Sequence, residues 1–175
     1  MVSDTGGNIV ANTKLLFSYH NWATNRLLDF IADNSPEVFN EGVESVFSSI
    51  GETFSHIYTV DQLWFNRITR TEGGAAPAVF TDANDAKNEI NKLYQLMEDF
   101  LKDADLSKKI AYKNSAGTEF QNKTDDIFIH LTNHGTYHRG NITAMLWELG
   151  KKSISTDYIF YLREIGKHDP CFTNL

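Results

Sequence analysis

The sequence predicts an all-α chain folded as an antiparallel four-helix bundle, with a short hairpin or crossover before the fourth helix and a short C-terminal helix. Three observations predict it. Four long segments carry a helical apolar period, each is bounded by capping or breaking residues, and strand-like signal is confined to one stretch around residue 115. Amphipathic helices of this kind bury their stripes against one another, so facing side chains on the inward surfaces are where a site can be built.

In the first segment Leu15, Leu16, Tyr19, Trp22, Ala23, Leu27, Phe30 and Ile31 recur at steps of three and four until Asn34-Ser-Pro36 stops them. In the second, Ser48 or Ser49 caps a run whose Ile50, Phe54, Ile57, Val60, Trp64 and Ile68 share a face, fading at Gly73-Gly74 and Pro77. The third starts at Thr81 or Asp82 and sets Ala86, Ile90, Leu93, Tyr94, Met97, Phe100 and Leu101 on one side, with a charged opposite side. Next, Lys109-Ile-Ala-Tyr-Lys113 and Thr118-Glu-Phe-Gln121 flank the turn-prone Asn114-Ser-Ala-Gly117, which reads as a short hairpin or an irregular crossover. The fourth helix begins near Thr124-Asp-Asp126, whose acids suit a positive helix end, and stops at Gly150. A last short helix follows Thr156-Asp157.

Length and composition fit one domain over residues 1–175: 41% hydrophobic and 22% charged residues are ordinary globular usage. A formal charge of -7 and the lack of a Lys/Arg cluster exclude nucleic-acid partners, since backbone binding needs basic patches. No apolar run is long enough to span a bilayer, and the start MVSDTGGNIV has no basic flank with an apolar stretch. A cytoplasmic protein with no membrane partner is expected. Cys171, the one cysteine, cannot form an internal disulfide and reads as an inert tail thiol.

The six histidines are His20, His56, His130, His134, His138 and His168. On a helical wheel with Ile127 at zero, the apolar arc of helix four centres at about 20°, with His134 at about 340° and His138 at about 20°. Two imidazoles on a buried face must have their ring nitrogens satisfied. A lone core histidine is ordinarily satisfied by a carbonyl or hydroxyl, but a pair four residues apart on one helix converges on a single ion. His56, at the rim of the apolar arc of helix two, is the candidate third ligand from a facing helix. Three imidazoles leave a coordination position open for water or substrate, the arrangement of a catalytic site. The pair His130 with His134 is the alternative. His20 and His168 are expected at the surface or rim, and Arg139, near 120° and off the arc, in a salt bridge or interface contact. Asp61 and Tyr137 are candidates to orient histidines or substrate from behind the ligands. Gly135 stands where a His-Glu-x-x-His protease carries its general base, which argues against that class. No Walker loop, Gly-x-Ser-x-Gly elbow or Cys-rich zinc cluster is present.

The segment Asn133-His-Gly-Thr-Tyr-His-Arg-Gly-Asn141, followed by Leu146, Gly150 and Thr156-Asp-Tyr158, resembles the last core helix and C-terminal signature of DinB-like proteins, the damage-inducible family unrelated to the DNA polymerase of that name. His56 in Phe54-Ser-His-Ile-Tyr-Thr-Val-Asp61, with Trp64 and Arg67 following, and Tyr19 with Trp22-Ala-Thr-Asn25, resemble its second- and first-helix motifs. Asn141 stands where many relatives have Gln. The resemblance implies an up-down-down-up bundle, a divalent ion such as nickel or zinc held by His56, His134 and His138 with water completing the shell, and frequent homodimers. The wider superfamily it points to includes thiol-dependent S-transferases and isomerases, and with the open coordination position this suggests chemistry on a small molecule or low-molecular-weight thiol, as a metal-dependent thiol S-transferase or hydrolase. A non-enzymatic, stress-related metal-binding protein and a plain helical interaction protein are the alternatives.

Overall fold

The computed structural model describes residues 5–71, 75 and 77–166, with side chains from residue 12 onward. Its helices are α1 (Thr5–Asn34), α2 (Ile50–Thr69), α3 (Ala83–Asp103), α4 (Thr124–Glu148) and α5 (Tyr158–Glu164), with a 3-10 turn at Pro36–Val38. Strands β1 (Lys109–Lys113) and β2 (Glu119–Lys123) form the antiparallel hairpin before α4, pairing Ile110 with Asn122 and Tyr112 with Phe120. The helices begin where short polar side chains can satisfy their first amides. Ser49 accepts from the Glu52 amide, while the Glu52 carboxylate accepts from the amide of Ser48. Asp82 accepts from the amides of Asn84 and Asp85. At its far end α4 closes in a Schellman turn: Gly150 is left-handed, and the Lys151 and Gly150 amides donate to the Leu146 and Trp147 carbonyls. The end of α2 falls at Thr69, with Arg70 left-handed at φ 58°; the Gly73-Gly74 stop expected for it lies outside the described residues.

Side-chain pairs fix the helix directions. Asp29 meets Lys87, Asn25 meets Asn91, and Asn21 meets Glu98, so α1 and α3 are antiparallel. Thr53 touches Met145 and Trp64 touches His130, so α2 and α4 are antiparallel too. Thr13 bonds Asp125 and Thr24 takes a bond from Arg139, so α1 and α4 run the same way; so do α2 and α3, in which Asp61 meets Tyr94 and Phe65 meets Phe100. This is the up-down-down-up order.

One core runs through the bundle, from Phe17, Leu27 and Ile31 through Phe54 and Ile57 to Tyr94, Phe128 and Leu146. A smaller cluster of Tyr19, Ala23 and Tyr161, with Leu15 and Trp22 against it, docks α5 on a second face of α1. Among the described residues no helix is long and apolar enough to cross a membrane.

Candidate metal centre

Because α2 and α4 are antiparallel neighbours, His56 lies across from the turn that carries His134 and His138. The three rings meet with centroids 5.0 Å (His56 to His134), 4.6 Å (His56 to His138) and 4.4 Å (His134 to His138) apart. The Nε2 atoms of His56 and His134 are 3.1 Å apart, and one ligand atom from each of the three lies within 4.8 Å of the others. Two nitrogens bound tetrahedrally at about 2.0 Å from one ion would be about 3.3 Å apart, so the spacing suits a shared cation. His134 turns Nε2 toward His56, and its Nδ1, like that of His138, is buried without a protein partner. Phe47, from the segment leading into α2, covers one side, its ring 4.7 Å from that of His56 and 5.6 Å from that of His138.

Electrostatics favour the ligating form. Burial, then the neighbouring His138 imidazole, pushes His134 down to about 4; burial, then His56, pushes His138 down to about 4. Burial also lowers His56. All three are neutral at pH 7, as a metal ligand must be.

The structure leaves His130 out of this trio. It is exposed, with its ring 5.9 Å from His134 and 5.6 Å from Trp64, so the alternative pair loses its footing. Tyr137 is 63% exposed and meets His138 edge-on at 5.0 Å. Asp61 is fully buried, but its hydrogen bonds go elsewhere.

They go to a second polar cluster beneath the first. His20 Nε2 faces Asp61 Oδ2 at 3.1 Å and the Tyr94 hydroxyl at 2.7 Å, and that hydroxyl donates to Asp61 Oδ2 at 2.9 Å. Arg139 approaches His20 Nδ1 at 3.1 Å and donates to Thr24 at 3.2 Å and Thr136 at 3.0 Å. A guanidinium can only donate, so His20 Nδ1 accepts and Nε2 carries the proton toward the carboxylate. Burial lowers the His20 pKa more than Asp61 raises it, which keeps the ring neutral. His20, Asp61, Tyr94 and Arg139 come one from each of the four long helices.

Two sequence expectations are thereby corrected. His20 is fully buried rather than at the surface or rim, and Arg139 is 1% exposed, hydrogen-bonded inside the bundle rather than salt-bridged at its outside. The cause is the breadth of the buried arc of α4. Phe128, Thr132, Gly135, Arg139, Ile142 and Leu146 are buried along with Ile127, Leu131 and Met145, moving the arc centre from about 20° to about 70° on the same wheel. Helix α1 packs on the added side. Gly135 was the available signal: a Cβ there would overlap the His20 ring and sit 2.8 Å from the Arg139 guanidinium, so the helix needs a residue without a side chain. His168 and Cys171 lie outside the described residues.

Fold and site together define a helical bundle with a three-histidine cluster, capable of holding a metal, at the seam of two antiparallel helices. The chain belongs to the DinB family, whose model matches residues 9–168. It is 31% identical over 157 residues to Protein DinB of Bacillus subtilis (strain 168), an alignment covering 84% of this chain and 91% of that one. The crystal structure of a DinB-like protein from Bacillus cereus ATCC 10987 superposes with a TM-score of 0.62 at 19% identity, over 79% of this chain and 91% of that chain, and so shares the fold.

Proposed function

We propose that this protein binds one divalent metal ion, nickel or zinc, through His56, His134 and His138, and uses it in metal-dependent chemistry on a small molecule, of the thiol S-transferase or hydrolase type. The observation that carries this reading is the convergence of three neutral imidazoles from two helices, with one nitrogen from each within 4.8 Å of the others. When bound, the ion supplies Lewis acidity and an open position at which a thiol or a water loses its proton near neutral pH. The chain's own part is to keep the imidazoles deprotonated by burial and to shield one flank with Phe47. Asp61, with Oδ1 buried and unpartnered, and Tyr137, edge-on to His138, are the groups we assign to orienting ligands or substrate.

Elemental analysis of the purified protein beside a His138→Ala variant tests the centre. Roughly one ion per chain is expected in the wild type and a near-complete loss in the variant, because a three-ligand site rarely keeps its ion on two. Equal metal content in both would overturn the reading. Assembly as a homodimer in the cytoplasm belongs to the same proposal, and light scattering giving a monomer mass would remove it.

A further inference from the structure

Beside the histidine cluster, where the hairpin leans on the α2–α4 seam, a cleft of about 290 Å³ is lined by Trp64, Tyr112, Asn122, Asp126, Ile127 and His130. Its walls are largely rings: Trp64 meets Tyr112 edge-on at 4.8 Å and His130 at 5.6 Å. Arg67 lies 4.5 Å over Trp64 and 4.8 Å over Tyr112 and donates to the Lys113 carbonyl, so this cation is part of the wall. The Asp126 carboxylate is not so engaged. It is exposed, and no hydrogen bond or ion pair involves it among the described residues.

Asp126, His130, His134 and His138 follow one another at every fourth position of α4 and form a single stripe from the cleft to the cluster. Each step is about 6 Å along the axis, so Asp126 stands about 12 Å from His134. That is the length of three or four extended residues, or about that of a small conjugate. The His130 ring, 5.9 Å from His134, bridges the two places.

We propose that this cleft is a binding subsite for an amine-bearing small molecule, its ammonium on Asp126, its apolar body among Trp64, Tyr112 and His130, and its far end reaching the histidine cluster. A free carboxylate selects a cation over an anion through a charge-assisted hydrogen bond, and because Arg67 already lies over Trp64 and Tyr112 the rings offer contact for an apolar body rather than a further cation site. The far end matters only if the cluster holds the reactive centre, so this part rests on the function proposed above.

The test uses the full chain without added metal, so its outcome is independent of the elemental analysis. Phenylbutylamine, the neutral phenylbutanol and the anionic phenylbutyrate are titrated while the indole N–H signal of Trp64 is followed by NMR, assigned among the three tryptophans with Trp64→Phe. The amine is expected to shift the Trp64 signal with an affinity about five-fold above the alcohol, the size of one partly exposed charge pair, and phenylbutyrate to bind more weakly than either. In Asp126→Asn the advantage of the amine should disappear while the alcohol binds as before. Equal affinities for the three probes, no movement of the Trp64 signal, or an amine preference that survives Asp126→Asn would each overturn the proposal. The comparison of the three probes on wild-type protein stands whether or not the variant folds.

Discussion

Gly135 sits between the two kinds of chemistry in α4. Its neighbour His134 faces the histidine cluster, while its own missing side chain makes room for His20. A methyl group there cannot be absorbed by a flexible side chain, because the ring it meets is held on both nitrogens, by Asp61 and Tyr94 on one side and Arg139 on the other. Gly135→Ala is therefore expected to destabilise the fold by about 1–3 kcal/mol or more despite the gain in helix propensity, read as a lower urea midpoint. An unchanged or raised midpoint would mean that the His20 ring can move aside freely. The spacing His134-x-x-x-His138 pointed to a shared site without the structure, since buried imidazoles demand partners, and the two rings do meet that of His56. What made Gly135 necessary was not legible, because the ring that fills its space comes from a residue more than a hundred positions earlier.

At the scale of the helix, α4 carries one stripe for the seam with α2 and another for α1. The sequence revealed the first through Ile127, Leu131 and Met145, and hid the second because its members include Thr132, Gly135 and Arg139, residue types that patterning assigns to the outside. The same holds in α1, where one apolar surface is shared between the core and α5; merging the two faces on paper puts His20 at the edge. Caps, by contrast, act locally, and Ser49, Asp82 and Gly150 mark their helix ends as read. The histidine stripe also has a consequence for pH. With His134 and His138 lowered to about 4 in the fold against 6.5 for the free group, the unfolded chain takes up protons first as pH falls. Stability of the metal-free protein should be full above about pH 6.5, fall between pH 6.5 and pH 4, and level off below as far as these two groups contribute. Urea titrations across that window should show a shallower slope in His134→Ala than in the wild type; parallel curves would mean that burial leaves these rings unperturbed.

At the scale of the whole molecule, the cluster of His20, Asp61, Tyr94 and Arg139 is where all four long helices meet in polar contact. It holds an acid and a base in the interior with a neutral imidazole between them, so removing either charge leaves the other without compensation. Arg139→Met keeps an unbranched apolar stem without the charge and is expected to cost about 3–5 kcal/mol, seen as a large fall in thermal midpoint. A loss under about 1 kcal/mol would show that Asp61 is satisfied without it. The bundle itself was legible because four amphipathic periods admit few packings. The order of its helices was carried by the family resemblance, and the polar interior was not, since the partners of His20 lie 41, 74 and 119 residues away. Those separations bear on how the chain reaches its native state. No two members of the cluster are local in sequence, so none of its bonds can form early, and a collapsed form with only three helices docked would strand an ionised group in oil. Such partly assembled species are expected to be disfavoured, so the cluster should close late and favour cooperative assembly of the bundle.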